Sequence, residues 1–268
     1  MHINNIEKVV IEYLDTQETD YAILVNGGWG SGKTFYWKDK LSQISDKKGF
    51  KPIYISLNGM RKVEDIEHAI FTKLIPIIGQ NETPALKLLA NAANQLGKAF
   101  LGTSFQDLFK GVSLDTFNFS KFVICFDDLE RCRIPMVETL GYINNYVEHR
   151  KLKAIFLSDE SNIQEGQEIY KNVKEKLIRR ILNFELDLED SLPLFFDTYK
   201  HSNPSFFDFL STKKEQILAL TSTHKLTNLR TISFYLEVVS KLFLFIEDSD
   251  EKCQEEILFF SFAICNEF

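Results

Sequence analysis

The sequence predicts an α/β protein: a parallel sheet flanked by helices through residue 187, followed by a helical subdomain from 188 to 268. Three observations predict it. Short apolar runs alternate with helical spacing, the pattern of a parallel sheet covered on both faces. A glycine-rich segment joins the first such run to a helix. From Asp190 onward only helical spacing remains.

The N-terminal stretch MHINNIEKVVIEYLD reads as an amphipathic helix, with Ile6, Val9, Val10 and Tyr13 on one face. Its charges are scattered and it holds no unbroken apolar stretch, so it does not read as a signal peptide. Residues 21–26 (YAILVN) form a buried strand, and residues 34–45 a helix. Residues 52–57 (PIYISL) form a second strand, closed by Asn58-Gly59. Helical spacing runs from Arg61 to Ile78, breaks from Gly79 to Pro84, and resumes from Pro84 to Phe100. Phe122 to Phe126 (FVICF) is a continuous apolar run ahead of acids, which marks a central parallel strand. Met136 to His149 is helical, Ala154 to Ser158 a strand, Ile163 to Arg180 a helix, and Asn183 to Leu188 a last short strand. The helical part breaks near Asn203-Pro204, Thr223-His224 and Asp248 to Asp250.

Composition narrows the function classes. The chain has 38 acidic and 31 basic residues, a net charge of −7, which argues against a general nucleic-acid binder. Four cysteines without a CxxC pair indicate reduced thiols and a cytoplasmic setting, with Cys125 and Cys265 buried in apolar runs. No run reaches the roughly 18–20 apolar residues that a membrane span needs. The histidines His2, His68, His149, His201 and His224 show no metal-ligand spacing. Phenylalanines gather at Phe195, Phe196, Phe206, Phe207 and Phe209, which points to a lid or partner surface.

Gly27-Gly28-Trp29-Gly30-Ser31-Gly32-Lys33-Thr34 matches G-x-x-x-x-G-K-[ST] between a strand and a helix. Glycines let the backbone curl so that several N–H groups converge on phosphate oxygens, and the helix N-terminus adds a favourable dipole. In this pattern Lys33 reaches the β- and γ-phosphates and Thr34 offers its hydroxyl to Mg²⁺. Gly28 to Thr34 is therefore the expected nucleotide cradle, with Trp29 beside the nucleotide or against the protein. Asp127 and Asp128 follow the FVICF strand directly. A carboxylate at a strand tip beside a phosphate loop is where Mg²⁺ is held, which assigns Asp127 to the metal. Asp128 orients or deprotonates the attacking water, Glu130 is a second candidate for that role, and Arg131 pairs with these acids or touches a neighbouring subunit.

The stretch from Tyr21 to Arg131 resembles the KAP family of P-loop NTPases, within the STAND and AAA+-like group. The resemblance rests on Gly28-Trp29-Gly30-Ser31-Gly32-Lys33-Thr34, Tyr54-Ile55-Ser56-Leu57-Asn58-Gly59 and Phe126-Asp127-Asp128-Leu129-Glu130-Arg131. It implies a P-loop NTPase core over 1–187 and a helical lid over 188–268, with one strand between the phosphate-loop strand and the acidic strand. It further implies that Ser158 or Asp159, at the tip of that strand, senses the γ-phosphate. Arg230, in Thr227-Asn228-Leu229-Arg230, looks like the lid arginine that contacts phosphates. Arg179 and Arg180, late in the preceding helix, correspond to arginines supplied to a neighbour. Many relatives insert transmembrane helices between the second strand and the acidic strand. Here Pro84 to Phe100 carries Lys87, Asn91, Asn94, Gln95 and Lys98, too polar and short for a span.

The guanine-reading N/T-K-x-D element is missing, which favours ATP. The leading function is an Mg²⁺-dependent ATPase acting as a nucleotide-controlled switch or assembly ATPase, with a homo-oligomer or an effector protein as partner. The resemblance adds bacterial anti-phage defence. Alternatives are a nucleic-acid-remodelling AAA+-type ATPase, a nucleotide-binding scaffold with little turnover, and a phosphotransferase.

Overall fold

The computed structural model describes residues 3–78, 118–163, 167–185, 188–224 and 228–267. The helix expected from Pro84 to Phe100 and the break before it lie outside the described residues. The chain divides into two compact units: Asn4–Asn26 with Thr34–Asn183, and Gly27–Lys33 with Phe184–Phe268.

The first unit contains a five-stranded sheet. Its strands are β1 (Ala22–Asn26), β2 (Lys51–Ser56), β3 (Phe122–Asp127), β4 (Lys153–Ser158) and β5 (Ile178–Asn183), in the order β2-β3-β4-β1-β5. All neighbours pair in parallel. The strand inserted between β1 and β3 is β4, as the family resemblance implies. Every residue of β3 and β4 is buried, which their continuous apolar runs require of central strands. Phe126 and Phe156 stack across that pair with ring centroids 5.5 Å apart.

Helices flank the sheet. They are α1 (Ile3–Asp15), α2 (Lys33–Tyr36), α3 (Ser42–Lys47), α4 (Val63–Ile78), α5 (Met136–Arg150) and α6 (Gln167–Leu177). A π-helical segment, Trp37–Leu41, joins α2 to α3 without interruption, and its Trp37 and Leu41 are buried. The α4 entrance is fixed by Asp65, whose Oδ2 accepts from the amides of Arg61 (2.9 Å) and Lys62 (3.0 Å). Ile66, Ile70 and Leu74 then recur at helical spacing and are buried.

One expected boundary moves. The helix predicted from Ile163 to Arg180 ends at Leu177, and the last strand runs from Ile178 to Asn183 rather than from Asn183 to Leu188. The signal was masked because β5 is an edge strand. Arg179, Arg180 and Ile181 lie exposed, so the run lacks the unbroken apolar character of β3 and β4.

The second unit is helical: α7 (Leu188–Asp197), α8 (Pro204–Thr212), α9 (Lys214–Thr223), α10 (Leu229–Ile246) and α11 (Glu251–Glu267). Asn203 caps α8, accepting from the Phe206 amide, with Pro204 at the first helical position. Phe196, Phe206 and Phe209 are buried in this unit's own core, and Phe195 and Phe207 pack against it. The phenylalanine surplus expected to form a lid or partner surface is thus largely core. Phe243 closes on Phe206 (5.3 Å) and Phe209 (5.0 Å). The four cysteines are free thiols, with Cys125 and Cys265 buried. Among the described residues no helix is long and apolar enough to cross a membrane.

Lys153 opens β4 as a buried cation. Its ammonium donates to the carbonyls of Tyr13 (2.8 Å) and Thr16 (2.8 Å), satisfying orphan acceptors at the end of α1. Burial pushes it down to about 8, from 10.5 in a solvated lysine. Below pH 8 both folded and unfolded chains carry the charge, and the burial penalty is fully felt. Between about 8 and 10.5 the unfolded chain holds the proton more strongly, so this lysine's contribution to stability rises with pH. Measured by urea unfolding from pH 7 to 9.5, wild type should gain on Lys153→Met as pH rises. Parallel curves would show that the ammonium is not desolvated.

Candidate functional site

The phosphate loop leaves β1 at Asn26 and enters α2 at Lys33. Gly30 (φ +73°) and Gly32 (φ +96°) turn the backbone through the left-handed region that side chains disfavour. The Ser31 amide closes a turn on the Gly28 carbonyl at 3.2 Å. Lys33 is buried, and its ammonium donates to the carbonyls of Gly27 (2.6 Å) and Gly28 (3.0 Å), across the loop it follows. Ser31 Oγ is buried with no hydrogen-bond partner among the described residues.

The loop also meets the start of α10 within its own unit. The Leu229 amide donates to the Gly30 carbonyl at 2.8 Å. Asn228 Oδ1 caps α10 by accepting from the Arg230 amide at 2.9 Å, and a Cβ on Gly30 would lie 1.9 Å from that same oxygen. Arg230 is therefore held in the first turn of a helix fastened to the phosphate loop, with an exposed side chain. Trp29 is 52% exposed.

The acidic end of β3 is built from side chains of three elements. Asp127 is buried, and its Oδ2 accepts from Thr34 Oγ1 (2.5 Å) and Tyr54 OH (2.9 Å), while Oδ1 accepts from the Asp128 amide (2.8 Å). Asp128 sits at φ 59°, ψ 39°, a left-handed conformation that aspartate tolerates better than most residues. Its Oδ2 accepts from Ser56 Oγ at 2.7 Å, and its Oδ1 lies 3.9 Å from Arg131 Nε. Burial, and then the carboxylates of Asp127 and Asp128, raise the Tyr54 phenol above its ordinary value, so it stays protonated and acts as a donor.

A second cluster lies at the tip of β4. Glu130 Oε2 accepts from Ser158 Oγ (3.0 Å) and from the Asp159 amide (3.1 Å). Asp159 caps the following turn: its Oδ1 accepts from Ser161 and its Oδ2 from Asn162 Nδ2 (2.9 Å). Of the two tip residues, Ser158 is the one whose hydroxyl faces the acids. Asn26 links the neighbouring tips, accepting from the Glu160 amide (3.0 Å) and donating to Asn183 Oδ1 (3.4 Å).

The structure brings together Thr34 with Asp127, Glu130 with Ser158, and Gly30 with the start of the Arg230 helix. It does not bring Arg180 to the acids. Arg180 lies on β5 rather than in a helix, opposite Ile23 near the start of β1, and pairs with Glu12 at 3.2 Å. Arg179 pairs with Asp20 at 3.1 Å and covers the Tyr21 ring. Sequence reasoning gave no role to Tyr54, Ser56, Asn26 or Asn228. Tyr54 and Ser56 were visible as alternate residues of β2, on the face shared with Asp127.

The donor set fits a phosphate-bound magnesium ion. A hydroxyl already hydrogen-bonded to a strand-end carboxylate suits a hard cation. An unmatched buried serine hydroxyl in a glycine loop suits an anion. Among the described residues no group of three or more His, Cys, Asp or Glu forms an all-protein metal cage.

A parallel sheet with a glycine loop after β1 and a carboxylate at the end of β3 defines a P-loop NTPase domain. The chain belongs to the KAP family: the KAP family P-loop domain matches residues 3–99 and 101–242. No curated protein matches the sequence. Among solved structures, the Aeropyrum pernix ORC2 protein (ADPNP–ADP complexes) is 14% identical, with a TM-score of 0.52 over 98% of this chain and 66% of that one. Drosophila ORC bound to DNA is 15% identical, with a TM-score of 0.42 over 97% and 61%. Cdc6p from Pyrobaculum aerophilum is 12% identical, with a TM-score of 0.40 over 73% and 46%. The chain thus spans less than two thirds of each of these proteins, and the likeness to ORC2 is one of fold.

Replacing Gly30 with alanine meets both a left-handed φ and the Asn228 oxygen. Gly30→Ala should lower stability by about 2 kcal/mol or more. Gly28→Ala, where a Cβ meets nothing within 4 Å, should leave it unchanged. Thermal unfolding of both variants checks this, and equal melting temperatures would disprove the seating of the loop on Asn228.

Proposed function

We propose that the chain binds and hydrolyses ATP with Mg²⁺, as a nucleotide-controlled switch or assembly ATPase. The observation that carries this reading is the hydrogen bond from Thr34 Oγ1 to Asp127 Oδ2. It places the hydroxyl that opens the loop helix against the carboxylate that ends β3, and these two residues would hold the ion. When bound, the ion draws charge from the phosphate oxygens during transfer.

The chain's own residues supply the rest. Loop amides and the N-terminus of the helix bind phosphate, and the Lys33 ammonium exchanges neutral carbonyl partners for anionic oxygens. Ser31 gives its unmatched hydroxyl a partner in the nucleotide. Asp128, held by Ser56, orients and deprotonates the attacking water. Glu130 fixes Ser158, whose hydroxyl reads the γ-phosphate. Arg230 contacts phosphate from the first turn of α10. Because Asn228 and Leu229 grip Gly30, a change in loop conformation passes to α10, which is the switching element. The partner is a second copy of the chain, reached by Arg179 or Arg180, or an effector protein. The setting is bacterial anti-phage defence, an extension that rests on the family resemblance alone.

Lys33→Ala should weaken nucleotide binding by about 10- to 100-fold. Asp128→Asn should bind ATP normally and lower phosphate release by about 100-fold or more. Fluorescent-nucleotide titration and a phosphate-release assay measure the two. Wild-type turnover by Asp128→Asn would remove Asp128 from the water-orienting role. Light scattering with and without ATP and Mg²⁺ tests assembly, which Arg180→Ala should impair without changing binding.

A further inference from the structure

Asp127 receives one donor that neither the phosphate loop nor its own backbone supplies, the Tyr54 hydroxyl. Tyr54 stands opposite Cys125 in the β2–β3 register, and Ser56 stands opposite Asp127. The phenol therefore reaches diagonally, two positions along the neighbouring strand, to the Asp127 carboxylate. That carboxylate is fixed at both oxygens. Oδ1 is taken by the Asp128 amide, and Oδ2 is shared by Thr34 and Tyr54. A metal-facing carboxylate presents its remaining lone pairs in a defined direction only while its rotation is blocked, and blocking it is the work of outer partners.

The tyrosine is itself braced. Lys38 Nζ lies 4.9 Å from the centroid of the Tyr54 ring. Lys38 belongs to the π-helical segment Trp37–Leu41, whose buried Trp37 and Leu41 anchor it. A π turn inside an α-helix changes which residues face a neighbour, and such turns gather at functional sites. A cation over the ring also draws electron density from the phenol, which strengthens its hydrogen bond to a carboxylate.

We propose that Tyr54 is a positioning residue for the metal-binding carboxylate of Asp127, and that Lys38 holds Tyr54 in that role. This rests on the reading of Asp127 as a magnesium ligand. Tyr54 touches neither nucleotide nor metal; it acts through Asp127. Its removal therefore affects the metal requirement and leaves metal-free nucleotide binding intact.

The experiment is a titration of a fluorescent, non-hydrolysable ATP analogue against the full chain at stepped Mg²⁺ concentrations and in EDTA. Mn²⁺ binding is followed in parallel by electron paramagnetic resonance. Tyr54→Phe keeps the ring and the Lys38 contact and removes one oxygen. It should raise the half-saturating Mg²⁺ and Mn²⁺ concentrations by about 5-fold and leave affinity in EDTA within about twofold. Lys38→Met should shift the metal curve in the same direction by a smaller factor. The double variant should match Tyr54→Phe, because Lys38 acts through the phenol. A Tyr54→Phe metal curve that overlays wild type, or an equal loss of affinity in EDTA, overturns the proposal while the magnesium reading stands. Wild-type binding that is indifferent to metal overturns both.

Discussion

The chemistry at the acidic end of the sheet depends on one constraint, the register between β2 and β3. Side chains alternate faces along a strand, so a slip of one residue would turn Tyr54 and Ser56 away from Asp127 and Asp128. With Ser56 opposite Asp127, the two hydroxyls of β2 fall on the two acids of the β3 tip. The apolar residues of the same strands, Ile53 and Ile55 against Ile124 and Phe126, fix that register from the buried side. Polar function and core packing are thus specified by one pairing.

Parallel pairing extends the same logic across the sheet. All the strands end on one edge, so Asn26, Asp127, Ser158 and Asn183 arrive together although they are far apart in sequence. These tips are tied to one another or to the segments beside them: Asn26 to Asn183 and to the Glu160 amide, Ser158 to Glu130, Asp127 to Thr34. The bonds to the Glu130 and Asp127 carboxylates are charge-assisted, a kind stronger than neutral bonds, and a rigid sheet holds them at little cost. In the helical unit, the Leu229 amide ties Gly30 to the start of α10, with the Asn228 cap beside it.

The fold was legible wherever an apolar run was long enough to be a central strand. FVICF and AIFLS announced β3 and β4, and glycine spacing announced the loop between β1 and α2. The edge strand β5 was not legible, because Arg179, Arg180 and Ile181 lie exposed in succession and the two arginines read equally well as a helix end. Motif chemistry pairs Thr34 with Asp127 without any geometry. It has no means of finding Tyr54, Ser56 or Asn228. Tyr54 and Ser56 show in the sequence only as alternate residues of β2; their meeting with the acids is set by the β2–β3 register, and that of Asn228 with Gly30 by a cross-loop contact, neither of which single-chain spacing carries. The phenylalanine cluster between Phe195 and Phe209 was legible as apolar but not as buried, since periodicity does not say what a helix packs against. Phe195 and Phe206 differ only in their surroundings.

The π-helical segment after the phosphate loop divides its helix into two phases. An α-helix repeats its faces on a fixed angular schedule, so the face chosen at its start dictates the face shown at its end. The wider turn at Trp37–Leu41 breaks that schedule and resets the phase. Lys33 and Thr34 are oriented by one phase, and Ser45, buried in α3, by another. The two ends of one continuous rod can therefore answer to different neighbours, one to phosphate chemistry and one to the core.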